Sequence, residues 1–107
     1  MSEYTPDKWA IVRITSPDNP PIYKVVGSFY GNFTGGDEWR MNSGIEKIVD
    51  TGDFYDVHGY SGSVYHCRKG CEGMSAYTEM VMNNMATQLE EGQLGMMRVV
   101  NIEDVNV

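Results

Sequence analysis

The chain's two histidines and two cysteines, His58, His66, Cys67 and Cys71, fall within a window of 14 positions. Two imidazoles and two thiols are a sufficient donor set for a tetrahedral zinc ion. Their spacing opposes that use. Cys-x3-Cys is looser than the usual zinc knuckle, and in a strand the neighbours His66 and Cys67 point to opposite faces. The expectation is therefore two reduced, structural thiols and no metal. Gly59-Tyr60-Ser61-Gly62-Ser63 comes close to the G-x-S-x-G elbow that presents a nucleophilic serine. Ser63 stands where the last glycine belongs, however, and a strand follows where the elbow needs a helix. A tight turn whose hydroxyls bond local backbone fits better. Asp50, Asp53 and Asp56 offer oxygen ligands, but they cross a hairpin signal and no distal glutamate completes a calcium loop. They read as Asx-turn carboxylates. No phosphate-cradling motif is present: Gly31 to Gly36 lacks the spacing and the following helix of a dinucleotide fingerprint. No cofactor is implied.

Another chemistry belongs to aromatics and arginine. Trp39-Arg40, with Tyr30, Phe33, Tyr60 and Tyr65 close in sequence and the basic pair Arg68-Lys69 beyond, can form a surface that stacks on or grips a partner. Trp39, Arg40, Tyr60, Tyr65 and Arg68 are expected to form one face or rim that binds a protein. Aromatics bury large areas at low entropic cost, and arginine adds forked hydrogen bonds. The competing account is that Trp39 and Tyr65 are core.

The elements that must position these residues are short strands. Ten of twelve glycines and eight of twelve aromatics lie between Gly27 and Gly73, the composition of a pleated, half-buried surface joined by tight turns. Lys8 to Thr15 has apolar residues on both faces, as a central strand does. Ser16 to Pro21 is a turn, and Ile22 to Tyr30 returns as a hairpin strand with Gly27 at a bulge. Asn32 to Asp37 is a second turn, followed by strands at Glu38–Ser43, Ile45–Val49, Phe54–His58 and Ser63–Cys67. One helix is predicted over residues 75–91, with Ser75 as N-cap and Gly92 as a left-handed C-cap. Tyr77, Val81, Met85 and Leu89 recur at i, i+4 spacing, flanked by Met82 and Ala86, and Val81, Met85 and Leu89 should face the sheet beside Trp9, Ile11 or Val12, and Val25. Met96 to Ile102 is a last strand. The fold class is α+β: an antiparallel meander of five or six strands packed by one helix in the C-terminal half, as a single compact domain over residues 1–107.

Composition narrows the function. The formal charge is −7, concentrated toward the C-terminus, where residues 73–107 hold five acids against Arg98 alone. Such a field repels phosphate backbones and anionic lipid, so nucleic-acid binding is disfavoured. No apolar run is long enough to span a membrane and the polar start carries no signal peptide. Two cysteines suit a reducing cytoplasm.

Three segments carry a resemblance: Trp39-Arg40-Met41-Asn42-Ser43-Gly44-Ile45, then Gly59-Tyr60-Ser61-Gly62-Ser63-Val64-Tyr65-His66-Cys67, then Gly73-Met74-Ser75. Over roughly Val26 to Met82 the chain resembles small uncharacterised proteins of large tailed, myovirus-type bacteriophages and marine phage metagenomes. The resemblance implies a phage origin and a host-cytoplasm setting, and brings no activity or catalytic residue with it. The expected function is a non-enzymatic module that binds a protein partner or modulates a host, with a homodimer compatible with the same surface. The alternative is a small enzyme or ligand-binding domain that uses the Gly-rich 59–73 segment through Ser61, His58, His66 or Cys67.

Overall fold

Alternation along one strand builds three layers. In β2 (Lys8–Ser16) Trp9 and Ile11 point one way while Ala10 and Val12 point the other, and all four are buried. A strand apolar on both faces must be covered on both, and it is. A computed structural model describes residues 2–31 and 37–105, and in it β2 is interior to a four-stranded sheet. Its neighbours are β3 (Asn19–Phe29) and β8 (Met96–Val100), and β4 (Glu38–Met41) closes the far edge, giving the order β4-β3-β2-β8. A second sheet holds β1 (Glu3–Tyr4), β7 (Val64–Arg68), β6 (Phe54–Gly59) and β5 (Ile45–Asp50), in that order. All pairings are antiparallel except β1 with β7, which is parallel.

The space between the sheets is filled by Trp9, Ile11, Val25, Ile45, Val57, Tyr65 and Cys67. On the opposite face of the first sheet lies α1 (Ala76–Glu91), over a cluster of Val12, Val26 and Met82 ringed by Trp39, Met41, Met74, Val81, Met85 and Met97. Five methionines in one interface let flexible thioethers fill an irregular gap. No helix of the described residues is long and apolar enough to cross a membrane.

The α+β class with a single packing helix and mostly antiparallel pairing holds, but the sheet is two sheets, with eight strands among the described residues. The meander breaks at Asn42–Gly44, where the chain leaves β4 in one sheet and starts β5 in the other. Gly44 makes the corner at φ +146, with the Tyr60 ring 3.2 Å from where a Cβ would sit. Gly27 marks no bulge; it pairs regularly with Trp9 and Arg40. It is glycine because Pro6 packs at 3.0 Å from the position a Cβ would take. The turn expected over Ser16–Pro21 tightens to Pro17-Asp18, Pro20 and Pro21 lie in β3, and the β2–β3 register slips between Ile14 and Ser16 of β2. The turn expected over Asn32 to Asp37 lies largely outside the described residues.

The helix has the expected span and Ser75 cap, with a rotated face. Ser75 Oγ accepts the Thr78 N–H at 3.1 Å, and the Ser75 N–H is donated to Ser28 Oγ at 3.2 Å. This buried polar knot turns Thr78 and Met82 inward and leaves Tyr77 41% exposed. Val81 and Met85 flank the contact, and they meet Val12 and Val26; Trp9, Ile11 and Val25 face the other sheet. Gly92 is right-handed, at φ −80, and the left-handed residue is Gln93, at φ 54.

Candidate functional site

Two sheet edges and one turn border a cleft of about 630 Å³, within the range of small-molecule and peptide sites. β1 supplies Tyr4, preceded by Ser2. β4 and the corner after it supply Trp39, Arg40, Met41, Asn42 and Ser43. Lys24 of β3 adds a cation, and the β6–β7 segment adds Ser61, Ser63 and Tyr65. Among the described residues no carboxylate lines it, in a chain whose net charge is −7.

Arg40 is the centre of the cleft's electrostatics. Alternation puts it on the face of β4 opposite Trp39 and Met41, toward the second sheet. There its guanidinium lies 4.7 Å from the Tyr4 ring centroid, with Nη1 3.5 Å from Tyr4 Oη. Tyr4 in turn packs on Tyr65, ring centroids 5.0 Å apart, and edge-on to Phe29 at 6.5 Å. Burial pushes the Tyr65 phenol up, Tyr4 adds to the shift, and Arg40 opposes it. The phenol therefore stays a protonated donor.

Backbone geometry opens one side of β4. The Asn42 N–H is donated to Val25 O at 3.2 Å. In an antiparallel ladder residues bond the neighbour alternately, so Arg40 also faces β3 while the N–H and C=O of Trp39 and Met41 face away. Among the described residues no strand pairs with that edge. Past Met41 the ladder is continued by a side chain: Asn42 Oδ1 accepts the Val25 N–H at 3.0 Å. Ser43 Oγ accepts the Ser61 N–H at 3.0 Å and ties the corner to the β6–β7 turn.

Of the five residues expected to form one binding face, three meet at this cleft: Trp39, Arg40 and Tyr65. Trp39 borders it while its ring packs in the helix-side cluster, and Tyr65 is 2% exposed, so both are core residues as well. Tyr60 lies beside the cleft with its ring over Gly44, and Arg68 lies elsewhere, its guanidinium 4.7 Å from the Phe54 ring centroid. Tyr4 and Lys24 escaped sequence reasoning. A two-residue strand is too short to show any period, and a lone lysine in an apolar strand carries no signal.

The other candidates resolve into structure. Cys67 points into the core and His66 outward, as their adjacency in a strand requires. Among the described residues no three His, Cys, Asp or Glu side chains are grouped to hold a metal ion. Both cysteines are free thiols, and burial, with Asp56 nearby, pushes Cys67 up to about 12. His66 bridges two carboxylates, Nδ1 at 2.7 Å from Asp56 Oδ1 and Nε2 at 2.8 Å from Glu3 Oε1. Both contacts favour the imidazolium and raise its pKa, Asp56 more than Glu3. Asp50 accepts the Gly52 N–H at 2.9 Å and the Lys69 ammonium at 2.7 Å, an Asx turn closed by an ion pair. Ser61 has no imidazole beside it in the cleft lining.

No protein-family model matches the chain, and no curated protein or solved structure is significantly similar to it.

Proposed function

We propose that the chain is a non-enzymatic interaction module that holds an extended segment of a partner protein in the cleft between β1 and β4. One observation carries the reading: the backbone groups of Trp39 and Met41 point away from β3, and both residues line a cleft that no other part of the described residues fills. An open strand edge is a template for an added strand, and natural proteins cover or charge such edges when they are not used. Main-chain hydrogen bonds to Trp39 and Met41 give affinity, and the neighbouring cleft reads alternate side chains of the segment. The rigid two-sheet frame behind the cleft keeps the ordering cost on the partner's side. If the phage resemblance reflects origin, the partner is a host or phage protein of the bacterial cytoplasm.

A second reading, binding of a small ligand, draws on the same cleft, because Ser61, Ser63 and Tyr65 of the Gly-rich segment line it. Selection from a random linear-peptide display library separates the two. Strand addition predicts enriched peptides that bind at micromolar affinity and lose it when proline replaces a residue whose N–H would pair with β4. Peptides indifferent to every proline replacement refute strand addition and leave the small-ligand reading.

A further inference from the structure

The cleft holds a surplus of hydrogen-bond donors and no acid to receive them. Three ion pairs are present among the described residues, joining His66 with Glu3 and Asp56, and Lys69 with Asp50. Neither Lys24 nor Arg40, both lining the cleft, has an acidic partner among the described residues. The ring beneath Arg40 occupies one face of its guanidinium, and an N–H edge of the fork remains for an acceptor. Ser43 Oγ already accepts the Ser61 N–H, so its own proton is free to be donated.

Asn42 is an independent sign of the same surplus. Its Oδ1 must be the atom that faces the Val25 N–H, because only the oxygen can accept that bond. Nδ2 is therefore the atom left over. It is fully buried against Gly59, 3.3 Å from where a Cβ there would sit, with no hydrogen-bond partner among the described residues, in a cleft-lining residue only 5% exposed. Native proteins seldom leave a buried donor unpaired, and a small turn of this side chain's amide toward the cleft would give it an acceptor there.

We propose that this cleft is a seat for a carboxylate side chain, the aspartate or glutamate of an extended partner segment, received by Arg40 with Ser43 as a further donor and Lys24 as a second cation, the Asn42 amide turning toward it from the wall. The proposal rests on the strand-addition reading and names the chemistry of the segment. The acceptor it calls for is a monoanion. A fork of N–H groups matches a planar carboxylate, and a chain of net charge −7 penalises each further negative charge brought to it. A doubly charged phosphate pays that penalty twice.

The test uses the full isotope-labelled chain and three probes in nuclear magnetic resonance titrations: N-acetyl-glutamate-N-methylamide, its glutamine counterpart, and inorganic phosphate. The expected result is saturable shifts of the Arg40 Nε–H, the Asn42 side-chain amide and the Ser61 N–H with the glutamate probe, and binding at least about tenfold weaker with glutamine. Arg40→Gln should weaken the glutamate probe by about tenfold or more, and Ser43→Ala, a change at an exposed position, by about threefold. Equal response to glutamate and glutamine, or no response at these three sites, overturns the seat. Phosphate bound more tightly than glutamate overturns the carboxylate assignment. Failure here with display peptides still pairing along β4 leaves strand addition standing, whereas failure of those peptides with glutamate still bound at Arg40 removes strand addition alone.

Discussion

Replacing Trp9 by phenylalanine should cost about 1.5–2.5 kcal/mol, because this one side chain fastens the two sheets together. Trp9 is 1% exposed, and its indole Nε1–H is donated to Arg68 O, at the end of β7 in the other sheet, at 2.7 Å. The ring also meets Tyr55 edge-on, centroids 6.0 Å apart at 71°. Trp9→Phe keeps an aromatic ring but deletes the donor and part of the volume. The hydrogen bond contributes about 0.5–1.5 kcal/mol, at the low end if water reaches the freed carbonyl. The lost ring volume, roughly 40 Å³ at about 24 cal/mol per Å³, adds about 1 kcal/mol. The Trp9 backbone bonds to Cys71 O and from Gly73 N–H survive, so the chain should still fold. At about 4–8 °C per kcal/mol for a domain of this size, the melting temperature should fall by roughly 6–20 °C. Far-ultraviolet circular dichroism reads this without relying on the deleted indole. Trp39→Phe, at a half-buried position, is the control and should cost less than about 1 kcal/mol. A Trp9→Phe melting temperature within 2 °C or so of the parent, or equal losses for the two variants, would refute the sheet-fastening role.

Three further predictions test the rest of the frame. Met82→Ala should cost about 2–4 kcal/mol and Leu89→Ala about half as much by urea denaturation, since Met82 is 4% exposed and Leu89 only half-buried; the reverse order would mean the helix presents a different face. Iodoacetamide at neutral pH should label Cys71 in the native protein and both cysteines in denaturant, because the Cys67 thiol is fully buried and pushed up to about 12; equal native labelling would contradict its burial. The Glu3–His66–Asp56 bridge raises the folded-state pKa of His66 above its ordinary 6.5, so its contribution is complete below the unfolded-state pKa and is lost as pH rises through the folded value. His66→Gln should therefore narrow the stability difference between mildly acidic and mildly alkaline pH, and an unchanged pH profile would show that the bridge contributes nothing.

What could be read from the sequence followed from periodicity and capping. The two-sided apolar pattern of Trp9 to Val12 placed β2 inside a sheet, and Ser75 with Gly92 bracketed the helix to within a residue. The helix face was read only in part: Val81 and Met85 do pack on the sheet, but Thr78 and Met82 are its most buried residues, because a buried hydroxyl knot from Ser28, in a distant strand, decides the rotation. The two-sheet division was hidden for a similar reason. A corner at Gly44 looks like any other turn, and only long-range packing tells which sheet the next strand joins. The site was half legible. Trp39 and Arg40 announce themselves by residue type, but the ring under Arg40 comes from Tyr4 and the orphaned amide from Asn42, contributions that arise from contacts far apart in sequence.

The most direct test of the account is amide hydrogen exchange, residue by residue, on the full chain with and without a display-selected peptide. The account predicts new protection at the Trp39 and Met41 N–H groups, whose outward direction follows from the Asn42–Val25 bond, and little change at Arg40, already paired with β3. Protection confined to other strands, or equal protection at Trp39, Arg40 and Met41, would contradict strand addition at β4.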